Sequence, residues 1–82
     1  MQNHLEQIEI EIVQRIYKLF LEKFNGNKSE FARASQCSET TIRRILRNEQ
    51  GITINLLLRL CNALEVEVNE IFDGLYSKEE GL

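Results

Sequence analysis

Asn27–Arg47, NKSEFARASQCSETTIRRILR, is the stretch on which the reading of this chain turns. The Asn27 side-chain oxygen can accept from an unpaired first-turn N–H, and Glu30 can reach back to it, which makes NKSE a variant of the capping box. A helix is expected to start there. It is short, turns Phe31 and Ala32 inward, and is interrupted around Ser35-Gln36-Cys37 before a fresh cap at Ser38. A second helix then runs from Glu39 to about Arg47, with Ile42, Ile45 and Leu46 on its inner side. Glu39, Thr40, Arg43, Arg44 and Arg47 fall elsewhere, so its outer face is polar and mostly cationic.

Upstream, Leu5, Ile8, Ile12, Ile16, Leu19, Phe20 and Phe24 recur at helical spacing and predict one long helix, ended at Asn25-Gly26. Glycine takes the left-handed conformation there without a Cβ clash. Downstream, Asn48 to Gly51 reads as a turn and Thr53 as a cap, with Ile52 placed to staple onto Leu57. A fourth helix reaches about Leu64, with Leu57, Leu60, Cys61 and Leu64 on one face and Ile54 one turn earlier. A final short helix around Val68 to Phe72 offers Val68, Ile71 and Phe72 to the core, and Ser77 to Leu82 is expected to fray. No segment alternates apolar with polar, and proline is absent. The expectation is an all-α, five-helix single domain over residues 1–82, with a core at about 17–72, a helical extension at 3–16 and a tail at 75–82.

Eighty-two residues support one modest core and leave no room for a cleft between domains. There is no membrane-length apolar run and no secretory leader, so the expected location is the cytoplasm, without a membrane partner. Cys37 and Cys61 lie far apart, with only His4 as a further soft ligand, a spacing that matches no zinc or redox motif. Two reduced, buried cysteines are expected, with no metal or other cofactor. One histidine, one aspartate (Asp73) and no phosphate-binding glycine loop also argue against an enzyme.

The net charge of −3 is unevenly spread. From Lys28 to Arg59 six cations face three acids, a net of +3, whereas from Glu65 onward six acids face only Lys78, a net of −5. A basic middle with an acidic end can turn its cationic face to DNA. A serine-capped helix faced with arginines can enter a major groove about 12 Å wide. Arg43 and Arg44 are long enough to fork onto guanine edges or clamp phosphates.

NKSEFARA, SETTIRRILRN and GITINLLLRLCNALEVEVNEIF, in this order and spacing over about Tyr17 to Phe72, resemble the Cro/repressor family of helix-turn-helix proteins, also called XRE-type. The resemblance implies a lambda-repressor-like DNA-binding domain, here with an extended first helix. It implies base-reading roles for Glu39, Thr40, Arg43 and Arg44, and phosphate contacts for Lys28, Arg47 and Asn48. Ala32, Cys37, Ile42 and Ile45 match structural positions. The family carries glycine where this chain has Gln36, so the turn is either strained or differently routed.

The leading expectation is a sequence-specific, double-stranded DNA-binding transcriptional regulator that represses by covering a promoter, with no small-molecule effector. One recognition helix discriminates too weakly to find a site in a genome, so a homodimer on a palindromic operator is expected. Leu5, Ile8 and Ile12 are its candidate interface. Two alternatives stay open: an antitoxin that also represses its own operon and binds a toxin partner, and a protein-interaction module that has lost DNA binding.

Overall fold

The structure is a computed structural model that describes the backbone of residues 4–75 and the side chains of residues 7–75. Five helices follow one another: α1 (His4–Phe24), α2 (Lys28–Ser35), α3 (Glu39–Leu46), α4 (Ile54–Leu64) and α5 (Val68–Phe72). The described residues contain no strand. α3 stops one residue short of the expected Arg47, and the tail expected to fray lies outside the described residues.

α1 is the spine. All four later helices pack on it, along a stripe in which Val13, Ile16 and Phe20 are buried. Phe20 stacks on Phe31 of α2 with ring centroids 5.0 Å apart, and Phe24 meets the same ring at 5.2 Å. Aromatic pairs of this kind contribute about 0.5–1.5 kcal/mol beyond the area they bury. Ile12 packs against the same core, so the stripe Leu5, Ile8, Ile12 is not wholly spare. Ile8 is half-buried, and the Leu5 side chain lies outside the described residues.

Polar contacts from α1 then fix the later elements. Arg15 donates to the carbonyls of Ile71 at 2.7 Å and Asp73 at 2.6 Å, closing the end of α5. Lys23 bonds the Glu65 carboxylate, just past α4, at 2.7 Å. Near the other end of α1 the Glu9 carboxylate accepts the Ile52 N–H at 3.3 Å, which ties the extension to the loop between α3 and α4.

The expected caps form at Asn27, Ser38 and Thr53, whose side chains accept from Glu30, Thr41 and Leu56 N–H. The box at Asn27 is only half made, since Glu30 donates its N–H at 3.0 Å without a return bond from its carboxylate. The reciprocal contact appears instead at α5, where Glu70 accepts from the Glu67 N–H at 3.1 Å. α1 ends with both Asn25 and Gly26 left-handed. Near-identical closures end the next three helices. Past α2, the Gln36 and Cys37 N–H groups bond the Arg33 and Ala32 carbonyls at 3.1 and 3.0 Å. Asn48 and Glu49 repeat the pattern past α3, as do Glu65 and Val66 past α4. This closure requires a left-handed residue, and Gln36, Asn48 and Glu65 supply it at φ near +60°.

One face differs from the sequence expectation. In α4 the buried residues are Leu56, Leu60, Cys61 and Leu64, while Leu57 is half-buried and Ile54 is 78% exposed. The run Leu56-Leu57-Leu58 is apolar on every side, so spacing alone could not select the inward face. Burial of Leu56 with Leu60, Cys61 and Leu64 leaves Arg59 turned toward α2, where it donates to the Gln36 carbonyl.

Two predictions follow from these closures. Gln36→Gly removes a Cβ clash at a left-handed position and keeps the main-chain bonds, so stability in urea should rise by about 1 kcal/mol, less a part lost to glycine's unfolded-state entropy. A fall would show that the turn is unstrained. The Lys23 ammonium bonded to Glu65 holds that carboxyl below its ordinary value of 4.5. Its contribution is complete above that pH and is lost as pH falls through the lowered value. The urea midpoint of Lys23→Met should therefore lie below wild type at about pH 7 and converge with it at about pH 3.

Candidate nucleic-acid interface

α2 and α3 are eight residues each, too short to persist alone. Packing holds them. Phe31, Ala32 and Ser35 of α2 and Ile42 and Ile45 of α3 are buried, and α3 touches only α1 and α2 among the helices. Its other side is left to solvent. Ser38 sets where α3 begins, accepting from the Thr41 N–H at 3.0 Å and sharing a hydroxyl contact with Thr41 at 2.9 Å.

The solvent side carries most of the residues singled out above. Thr40, Arg44 and Arg47 are exposed at positions i, i+4 and i+7, hence in one row along the helix. Among the described residues the side chains of Arg44 and Arg47 have no hydrogen-bond or ion-pair partner. Arg43 is half-buried and donates to Glu39 at 2.9 Å. Glu39 is thus a partner of Arg43 rather than a free acceptor. A partly exposed pair of this kind is worth about 0–1 kcal/mol, so a nucleic acid can displace it. Asn48 is exposed just past α3, and Lys28 is half-buried as the first residue of α2. The fold brings Glu39, Thr40, Arg43 and Arg44 onto one helix, with Arg47 as its C-cap and Asn48 just beyond, and sets Lys28 at the start of the helix that packs against it.

One residue of this region was not picked out from the sequence. Arg59 of α4 donates to the main-chain carbonyl of Gln36 at 2.6 Å, bracing the turn between α2 and α3 from below. It is the only charged residue of α4, and a lone charge within an apolar run was the available signal. The Arg59 Nε and the hydroxyl of fully buried Ser35 have no hydrogen-bond partner. Burial pushes the Cys37 thiol above its ordinary value despite the pull of Arg59, and burial followed by Glu70 raises Cys61. Neither is a thiolate near neutral pH. Among the described residues no three histidine, cysteine, aspartate or glutamate side chains gather as metal ligands, and no helix is long and apolar enough to cross a membrane.

A short helix braced on two others, with arginines facing outward and a capped start, is suited to lie in a major groove. Residues 15–73 match the Cro/C1-type HTH DNA-binding domain, a span that covers α2 to α5 and the C-terminal part of α1. No curated protein and no solved structure matches the chain. With well over half its length matched, from within the buried stripe of α1 to the residue after α5, the chain belongs to the Cro/C1-type helix-turn-helix family of DNA-binding domains.

Proposed function

We propose that this protein is a sequence-specific transcriptional repressor that binds a palindromic operator as a homodimer. The observation that carries the reading is the outer row of α3, where Thr40, Arg44 and Arg47 stand exposed while the opposite face is buried. Arg44 and Arg43 read base edges, with Thr40 and Glu39 beside them; Lys28, Arg47 and Asn48 hold phosphates. Repression by occlusion needs only occupancy of a promoter, and the described helices supply a DNA-facing surface together with the braces that hold it. Pairing supplies the discrimination that two or three base contacts of about 1–3 kcal/mol each cannot.

Selection of bound duplexes from a random DNA pool tests the reading directly. It should return a two-fold symmetric site whose half-sites lie about 34 Å apart. Against that site, Arg44→Ala should lose roughly 1–3 kcal/mol and relax the preference at defined base pairs, and Arg43→Ala should do likewise. Lys28→Ala should weaken binding to matched and scrambled duplexes alike and flatten the dependence of affinity on salt by about one unit of slope. Unchanged affinity in both arginine variants would remove α3 from the groove.

A further inference from the structure

Among the described residues the exposed large apolar side chains form two pairs: Tyr17 and Leu21 on α1, 39% and 49% exposed, and Ile54 and Leu58 on α4, 78% and 51% exposed. Each pair is four positions apart and so shares one helix face. Their surroundings differ. The α1 pair borders exposed Lys18, and Tyr17 leans back on the core ring of Phe20 with centroids 6.0 Å apart. The α4 pair borders exposed Asn55 and Asn62, while Arg59, the one charge of α4, is turned away to the Gln36 carbonyl. Within α4 the outward ribbon Ile54, Asn55, Leu58, Asn62 therefore carries no charge, in a chain where 28% of residues are charged, and the carboxylate just past its end, Glu65, is paired with Lys23.

We propose that this ribbon of α4 is the surface on which a second copy of the chain docks. The inference rests on the homodimer reading above and names its surface. Near a two-fold axis every residue approaches its own copy, so any charge there meets its like. In a protein of net charge −3, an uncharged ribbon avoids that repulsion. Asparagine amides donate and accept at once, so Asn55 of one copy can bond Asn62 of the other, which charged side chains of one sign cannot do. Antiparallel crossing at Leu58 sets the two leucines against each other, with Ile54 of one copy toward Asn62 of its partner. The α1 extension suits the axis less well. Ile12 is committed to the core of its own chain, Glu9 is bonded to Ile52, and both Glu9 and Glu11 adjoin Ile8.

The placement also couples pairing to DNA geometry. Arg59, next to Leu58, braces the α2–α3 turn, so two copies joined through α4 hold their α3 helices at a set spacing. Four side chains fall short of the roughly 800 Å² per partner of a standard stable interface. Pairing in free solution is therefore weak and is completed when both copies share one duplex.

The test uses the full chain and the duplex returned by selection, offered either with both half-sites or with one. Wild type is expected to bind the two-site duplex cooperatively, as two copies. Leu58→Glu should abolish cooperativity and lower two-site affinity at least about tenfold while leaving single half-site affinity unchanged. Leu58→Ser, which adds no charge, should move in the same direction, and Leu21→Glu should change neither reading. Helical circular dichroism checks that each variant folds. Wild-type binding as one copy without cooperativity would overturn the homodimer itself. A cooperative wild type left intact by both Leu58 variants, or an equal loss on the single half-site, would overturn the α4 assignment and leave the dimer standing.

Discussion

The outward-facing chemistry of this protein depends on the contact between Phe20 of α1 and Phe31 of α2. Both rings are fully buried, and each such burial is worth about 1.5–3 kcal/mol relative to exposure. Phe24 of α1 meets the same ring, and α3 in turn packs only on α1 and α2 among the helices. Neither eight-residue helix forms by propensity alone, so the arginine row on α3 exists because apolar contact on its other side fixes the helix in place. Loss of the Phe20–Phe31 stack would loosen the exposed row of α3 without touching one of its residues.

The second dependence is local and lies at Gln36. A turn this tight between two helices needs one left-handed residue, and a glutamine there carries strain that glycine would not. The strain persists because the surroundings over-determine the turn. Two closing main-chain bonds converge on it, Ser38 starts the next helix two residues later, and Arg59 grips the Gln36 carbonyl. A left-handed residue costs about 1–2 kcal/mol, and a charge-assisted bond to its carbonyl is of the size needed to offset a part of that. The turn is thus held from α4, the helix on which dimer contact is placed above.

How much of this could be read from the chain follows from the range of each interaction. Caps at Asn27, Ser38 and Thr53 are settled within three residues, and the sequence shows them. The stripe of α1 repeats often enough to reveal its buried face. In α4 the later turns were legible, since Leu60, Cys61 and Leu64 are buried as their spacing implies, but the first turn was not, because Leu56, Leu57 and Leu58 are equally apolar and spacing does not say that Leu56 is the buried one. Arg15 and Lys23 likewise look like ordinary solvated cations until partners 56 and 42 positions distant come into view. Ile12 seemed spare for the same reason. In the recognition helix the residue types and the outer row were legible, but the engagement of Arg43 by Glu39 depends on rotamers that spacing permits without dictating.

These partnerships also resolve how an acidic protein belongs to a DNA-binding family. Several of its charges are already answered within the fold. Glu65 is paired with Lys23, Glu70 bonds the start of its own helix, and Arg15 and Arg59 are turned onto carbonyls. The cations left unengaged near α3, Lys28, Arg44 and Arg47, then dominate the field that a duplex meets at close range, within a Debye length of about 8 Å at physiological salt. Glu39 works against that field. To reach DNA, Arg43 must give up a bond to a carboxylate that also repels phosphate, so a contact that offers phosphate alone gains little from it. A base edge offering two acceptors in the right geometry gains more. On the base-reading role proposed above for Arg43, the ion pair lowers general attraction to DNA more than attraction to the right sequence, and selectivity would arise from the difference.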